Sequence, residues 1–156
     1  VLKFWFKKDY RKLFKELWFT KEGSEERRIA DELVNSTFFS TVIQAEQGQL
    51  EIWKRSASDI TALIIVLDQF SRHCYRDEHD DWKIKRNSEA ARQLSMDLLS
   101  KNWLEKLKYE ERVFAMMPIR HSPDQGSLKL LIDMTEKWEK EARNAKDERS
   151  LEILVR

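Results

Sequence analysis

The sequence predicts an all-α chain of about seven antiparallel helices with short links, a helical bundle or an irregular helical hairpin stack, and three observations carry the class. Three glycines and two prolines in 156 residues are too few for the turns of a β-sandwich or barrel. Charged residues make up 37% beside 41% hydrophobic, against about a quarter charged in an ordinary soluble domain, and that balance suits helices with charged outer faces. Apolar residues recur every three or four positions along most of the chain. Six Trp and eight Phe supply too much apolar area for a disordered chain. The length fits one hydrophobic core, so one helical domain over 1–156 is expected.

Taken in order, Tyr10, Leu13, Phe14, Leu17 and Trp18 form one helical stripe, backed by the basic residues Lys7, Lys8, Arg11, Lys12 and Lys15. Gly23 interrupts. Ser24 can cap a second helix with Glu25 and Glu26 at the positive end of its dipole. Ile29, Leu33, Val34, Phe38, Val42 and Ala45 are its expected buried face, and Gly48 stops it. Ser56 or Ser58 can cap the next helix, whose residues Ile60 to Phe70 are apolar nearly all round, so this helix is expected at the centre. Arg76 to Lys85 is polar and irregular, with Trp82 as its expected anchor. Asn87 or Ser88 then caps a helix through Leu94 and Leu98, and Asn102 closes it in the left-handed conformation. Tyr109 to Met117 is a short helix ended by Pro118. Ser122-Pro-Asp124 starts a long helix with Leu128, Leu131, Met134 and Trp138 inward, and a final helix starts near Asp147.

Charge excludes a global field for nucleic acid or an anionic membrane: 29 Lys plus Arg face 28 Asp plus Glu, a net charge of +1. The longest wholly apolar stretch, Ala62 to Leu67, is far short of the roughly 20 residues that cross a bilayer. A single cysteine, Cys74, excludes an internal disulfide and suits a reducing compartment, so an intracellular, cytoplasmic setting is the default expectation. An organelle stays open, because Val1 in place of Met suggests missing upstream sequence. Leu151-Glu-Ile-Leu-Val-Arg156, which ends on apolar residues, likewise suggests that the chain continues.

Leu67-Asp-Gln-Phe-Ser-Arg-His-Cys-Tyr-Arg76 is the most unusual stretch, with an acid, an amide, guanidiniums, an imidazole and a thiol at the end of the most apolar helix. Asp68 and Arg72 stand one turn apart and can pair. In a groove, Arg72 could clamp a carboxylate or phosphate while Asp68 orients it. The plainer reading has the pair and Gln69 satisfying loop carbonyls at the helix end, and paired charges there are common without catalysis. Cys74 and His79 among Asp77, Asp80 and Asp81 fit no standard zinc spacing. No glycine-rich phosphate loop and no Gly-flanked nucleophile turn occurs, so no catalytic residue, cofactor or metal is assigned.

Several segments together resemble the domain of unknown function 924 family, bacterial helical proteins of tetratricopeptide-repeat-like build. They are Val1-Leu-Lys-Phe-Trp-Phe6, Trp18-Phe19 with Lys21, Leu63 to Arg72 with Arg76, and Glu110-Glu-Arg-Val-Phe114 leading to Pro118, His121-Ser122 and Asp124. The family usually has Pro where Ser71 stands and Asn where His73 stands, and continues past the equivalent of Arg156 into a basic segment missing here. The resemblance implies a stack of helical hairpins with a concave groove and no particular reaction. Its polar motif positions are Asp68, Gln69, Arg72, Glu111, Arg112, His121, Ser122 and Asp124, the candidate groove or pocket residues.

These residues admit three functional readings. The first is a non-catalytic module binding a peptide, helix or protein surface, as part of a larger complex. The second is a small-molecule or anion-binding pocket protein, or a hydrolase-type enzyme, using Asp68, Arg72, Glu111, Arg112 and His121, with His121 as acid or base. The third is a membrane-surface or RNA-associated protein acting through the local basic patch Lys7 to Lys15.

Overall fold

Short polar side chains set the helix boundaries. The computed structural model describes residues 1–7, 9–76, 81–120 and 125–154, and the described residues are all-α with no strand. Helix α1 (Leu2–Trp5) and helix α2 (Tyr10–Leu13) precede a π-helical turn at Phe14–Trp18. The Ser24 hydroxyl accepts from the Arg27 N–H at 3.2 Å and opens α3 (Glu25–Glu46). Gly48, at φ +71°, supplies the left-handed residue that turns the chain beyond it. A 3₁₀ turn (Glu51–Arg55) comes next, and Ser56 rather than Ser58 caps α4 (Ala57–Ile64) by accepting from the Asp59 N–H at 3.1 Å.

Helix α4 runs without a break into a π-helical turn (Ile65–Phe70) and then α5 (Ser71–Tyr75). From Ile60 to Leu67 every side chain is buried, as its all-round apolar pattern requires. This rod serves both apolar clusters of the core. Ile65, Val66 and Phe70 join Trp5, Trp18, Val34 and Phe114 in one. Ile60, Ile64 and Leu67 join Leu98, Met116 and Trp138 in the other. Aromatic rings set the geometry of the first: Phe70 stacks on Phe38 at 4.5 Å, and Trp5 meets the edges of Phe70 at 5.5 Å and Phe114 at 5.4 Å.

The second half comprises α6 (Asp81–Ser100), a 3₁₀ turn (Leu104–Lys106), α7 (Tyr109–Arg120), α8 (Gln125–Asn144) and α9 (Glu148–Leu154). Asn102 is left-handed at φ 52°, as expected at that helix end. Asp147 accepts from the Ser150 N–H at 3.0 Å and caps α9. Ser95 of α6 donates to the Ala115 carbonyl of α7 at 2.6 Å, one polar tie in an apolar seam.

Four expectations need correction. The inward face of α3 is rotated: Ala30, Val34 and Val42 are buried, while Ile29 is 52% and Leu33 44% exposed. The inward stripe is Arg27, Asp31, Val34 and Phe38, so two charged residues take places that hydrophobicity alone assigns to Ile29 and Leu33. Asn87 and Ser88 are not caps, because α6 begins at Asp81 and both lie inside it. Trp82 is exposed rather than an anchor, with the Arg86 guanidinium 5.2 Å from its ring centre. Helix α7 continues two residues past Pro118. The expected start at Ser122-Pro-Asp124 lies outside the described residues.

Phe70→Ala should lower unfolding stability by about 3–5 kcal/mol, whereas Ile29→Ser should stay within about 0.5 kcal/mol, both read by urea titration. A large loss at Ile29 would contradict the rotated face. Glu110 of α7 pairs with Arg149 of α9 at 3.2 Å, yet burial outweighs that attraction and holds its pKa above the ordinary 4.5. The folded chain therefore keeps this proton at pH values where the unfolded chain has lost it, so its contribution falls as pH rises through and above 4.5. Glu110→Gln should flatten the stability profile over that range, measured by denaturant titration at stepped pH.

Candidate functional site

The rod carries one buried carboxylate, Asp68, at 0% exposure. An unpaired charge there would be prohibitive, and neighbours supply donors. Arg72, one turn on, reaches its Oδ1 at 3.2 Å, Ser88 of α6 donates to the same oxygen at 3.0 Å, and Gln69 donates to Oδ2 at 2.6 Å. Arg72 also donates to Ser88 at 2.8 Å, closing a ring of partners. The expected i,i+4 pair forms, and through Ser88 it ties the rod to α6. That is why Ser88 stands inside a helix: its hydroxyl is required where Asp68 passes.

Gln69 and Arg72 also line a cleft of about 300 Å³ with His73 and Arg76 on one wall. Arg27 of α3 and Thr20 contribute a second, and Leu17, Trp18 and Phe19 a third. Three guanidiniums from two parts of the chain thus share one opening. Their partners differ. Arg72 has Asp68, and Arg76 grips both oxygens of Asp31 at 2.8 and 2.9 Å. Arg27 donates to the Thr20 carbonyl at 2.7 Å and to its hydroxyl at 3.4 Å, both neutral.

His73 is buried, and its Nδ1 lies 2.6 Å from Asp31 Oδ1. An ionised carboxylate only accepts, so this nitrogen carries the proton and Nε2 is the ring's remaining polar atom. Asp31 therefore serves His73 and Arg76 together and holds α3 against the end of the rod. Both π-helical turns end at this cleft, one through Leu17 and Trp18 and the other through Gln69. Such turns insert an extra residue and re-aim the side chains beyond it, and they recur at functional sites. A neighbouring cleft of about 440 Å³ shares Arg27 and Arg76 and adds Glu25, Arg28 and Asp31. There Arg28 is spent on Glu25 at 2.7 Å and Glu32 at 3.2 Å; Glu25 is held below the ordinary carboxylate range chiefly by its hydrogen bonds from Arg28.

Of the sequence-derived candidates, Gln69 and Arg72 face this cleft with Asp68 behind them. Glu111 and Arg112 do not line it. Glu111 accepts from the Lys108 N–H at 3.0 Å, the reciprocal half of a helix start. Arg112 donates to the Leu107 carbonyl at 3.0 Å, sits 4.7 Å from the Tyr109 ring centre and faces Glu105 and Glu141 at 3.4 and 3.5 Å, a structural role. His121, Ser122 and Asp124 lie outside the described residues, as does Lys8 of the basic segment. Within that segment Lys12 pairs with Glu16 at 3.7 Å. Arg27 and Asp31 were missed by sequence reasoning. Their signal was position: they share the stripe of Val34 and Phe38, where charge demands a buried partner.

Among the described residues no helix is long and apolar enough to cross a membrane, and no group of three His, Cys, Asp or Glu is placed to hold a metal ion. None of the curated proteins matches the chain in sequence. A solved structure that it resembles is that of ATU0120, a protein of unknown function from Agrobacterium tumefaciens, at TM-score 0.59 and 20% identity. The match covers 88% of this chain and 69% of that one, and at this identity it speaks to the fold alone. The family model of bacterial proteins of unknown function, DUF924, matches residues 1–156, and the chain belongs to that family.

Proposed function

We propose that the chain is a ligand-binding helical protein whose cleft between α3 and α5 takes a small anion. One observation carries this reading: Arg27, Arg72 and Arg76 line a single opening, and Arg27 has only neutral partners among the described residues. A cluster of guanidiniums held open at a cleft favours an anion through fixed, charge-assisted hydrogen bonds. Asp68 and Asp31 keep two of the three in place, so the site is organised before the ligand arrives. No reaction is needed by this reading. The sequence-based pocket reading centred on Asp68, Arg72 and His121 becomes a pocket of Arg72, Arg76 and Arg27. It takes the chain as one folding unit, supported by the rod that serves both apolar clusters.

A second reading, the module that binds a protein or peptide, is favoured by the outward apolar residues Ile29 and Leu33, one turn apart on one face of α3. An amphipathic helix laid along that face would bury them. Ile29→Glu with Leu33→Glu should then abolish binding to any helical partner without loss of the folded state, measured by circular dichroism and co-sedimentation.

The anion reading is tested by calorimetric titration of the protein with acetate and with inorganic phosphate at low salt. Arg27→Met should weaken binding by about tenfold or more, the worth of one charged hydrogen bond. Absence of anion binding to the unaltered protein removes the reading. Asp68→Ala should instead act on the fold, costing about 1–3 kcal/mol in denaturant titration because Arg72, Ser88 and Gln69 lose the acceptor they share.

A further inference from the structure

We infer that the anion taken by this cleft is a monocarboxylate with a flat apolar body, an arylcarboxylate in its simplest form. The inference rests on the anion reading above and names its ligand class. Charge sets the first limit. Arg72 is matched by Asp68 and Arg76 by Asp31, while Arg27 meets only the Thr20 carbonyl and hydroxyl among the described residues. One unmatched positive charge suits one negative charge, whereas a phosphate group brings about −1.5 to −2 near neutral pH. Nε and one Nη2 proton of Arg27 go to Thr20, which leaves Nη1 and the second Nη2 proton as an end-on fork. Two parallel donors of that kind match the two coplanar oxygens of a carboxylate.

Surface chemistry sets the second limit. The wall beside Arg27 is apolar, made of Leu17, Trp18 and Phe19. Leu17 and Trp18 are buried, whereas Phe19 lines the cleft and is 52% exposed as a residue, so part of a large ring meets water at an opening that three guanidiniums share. A ligand that places its charge on Arg27 and its body against Phe19 removes apolar surface from water on both sides. A bare anion leaves that surface wet. Size agrees: about 300 Å³ is at the small end of ligand pockets, which run from about 300 to 1,000 Å³, and suits one or two fused rings.

The experiment is calorimetric titration of the full chain at one fixed ionic strength with 2-naphthoate, benzoate, acetate and inorganic phosphate. Benzoate and 2-naphthoate should bind about tenfold tighter than acetate or phosphate, and 2-naphthoate tightest. Phe19→Ala should weaken both aromatic acids about fivefold and leave acetate unchanged. Trp82→Ala, an exposed aromatic away from this cleft, should change none of the four. Arg27→Lys keeps the charge and removes the fork, so it should lose most of the carboxylate affinity while circular dichroism shows an intact fold. Acetate or phosphate binding as tightly as the aromatic acids, or an unaffected Phe19→Ala, overturns the ligand class and leaves the anion reading standing. No binding by any of the four overturns both.

Discussion

The fold depends on a helical rod that is apolar on every side and carries one buried carboxylate. From Ala57 to Tyr75 the chain has almost no solvated face, so it must be enclosed, and α3, α6 and α7 supply the enclosure. Apolar burial is non-directional and would tolerate several ways of laying those helices down. Asp68 does not tolerate them. Its oxygens need donors at hydrogen-bond distance; Arg72 supplies one from the rod itself, and Ser88 supplies another only in one register of α6 against the rod.

The same logic recurs along α3. Asp31 meets His73 and Arg76 at the end of the rod, and Glu46 accepts from Asn87 of α6 at 2.6 Å and from Tyr75 of α5 at 3.2 Å. Two acids fifteen positions apart on one helix thus fix both of its neighbours. Each acid is inward on a helix whose outer side keeps Ile29 and Leu33 in water. Charge placed inward and aliphatic groups outward is the reverse of ordinary patterning, and it is stable because both inward acids are hydrogen-bonded to neighbouring helices.

These ties also shape the cleft. Arg72 and Arg76 are held at one end by carboxylates, so their guanidiniums stand in fixed positions at the opening. Arg27, anchored through Thr20, faces them from α3. The π-helical turns place the contributions: each inserts a residue into the local helix, and Leu17, Trp18 and Gln69 emerge where a regular helix would aim other side chains. The interactions that hold the core together and those that arrange the candidate site are therefore one network.

Periodicity and composition alone determined the all-α class, the central rod from Ile60 to Phe70, the cap at Ser24, the helix start near Asp147, the stops at Gly48 and Asn102, and the Asp68–Arg72 pair. All of these are set within a turn or two of the chain, by side chains bonding their own backbone or their own helix face. Which face of α3 turns inward, why Asn87 and Ser88 sit inside α6, and how Arg27 and Asp31 come to Arg76 and His73 were decided only by tertiary structure. Asp31 and Arg76 are forty-five positions apart, and Asp68 and Ser88 twenty. Hydropathy ranks Ile29 and Leu33 above Arg27 and Asp31 as core residues, and nothing local reverses that order. The reversal comes from partners on other helices, whose distance in sequence hides them until the chain has folded.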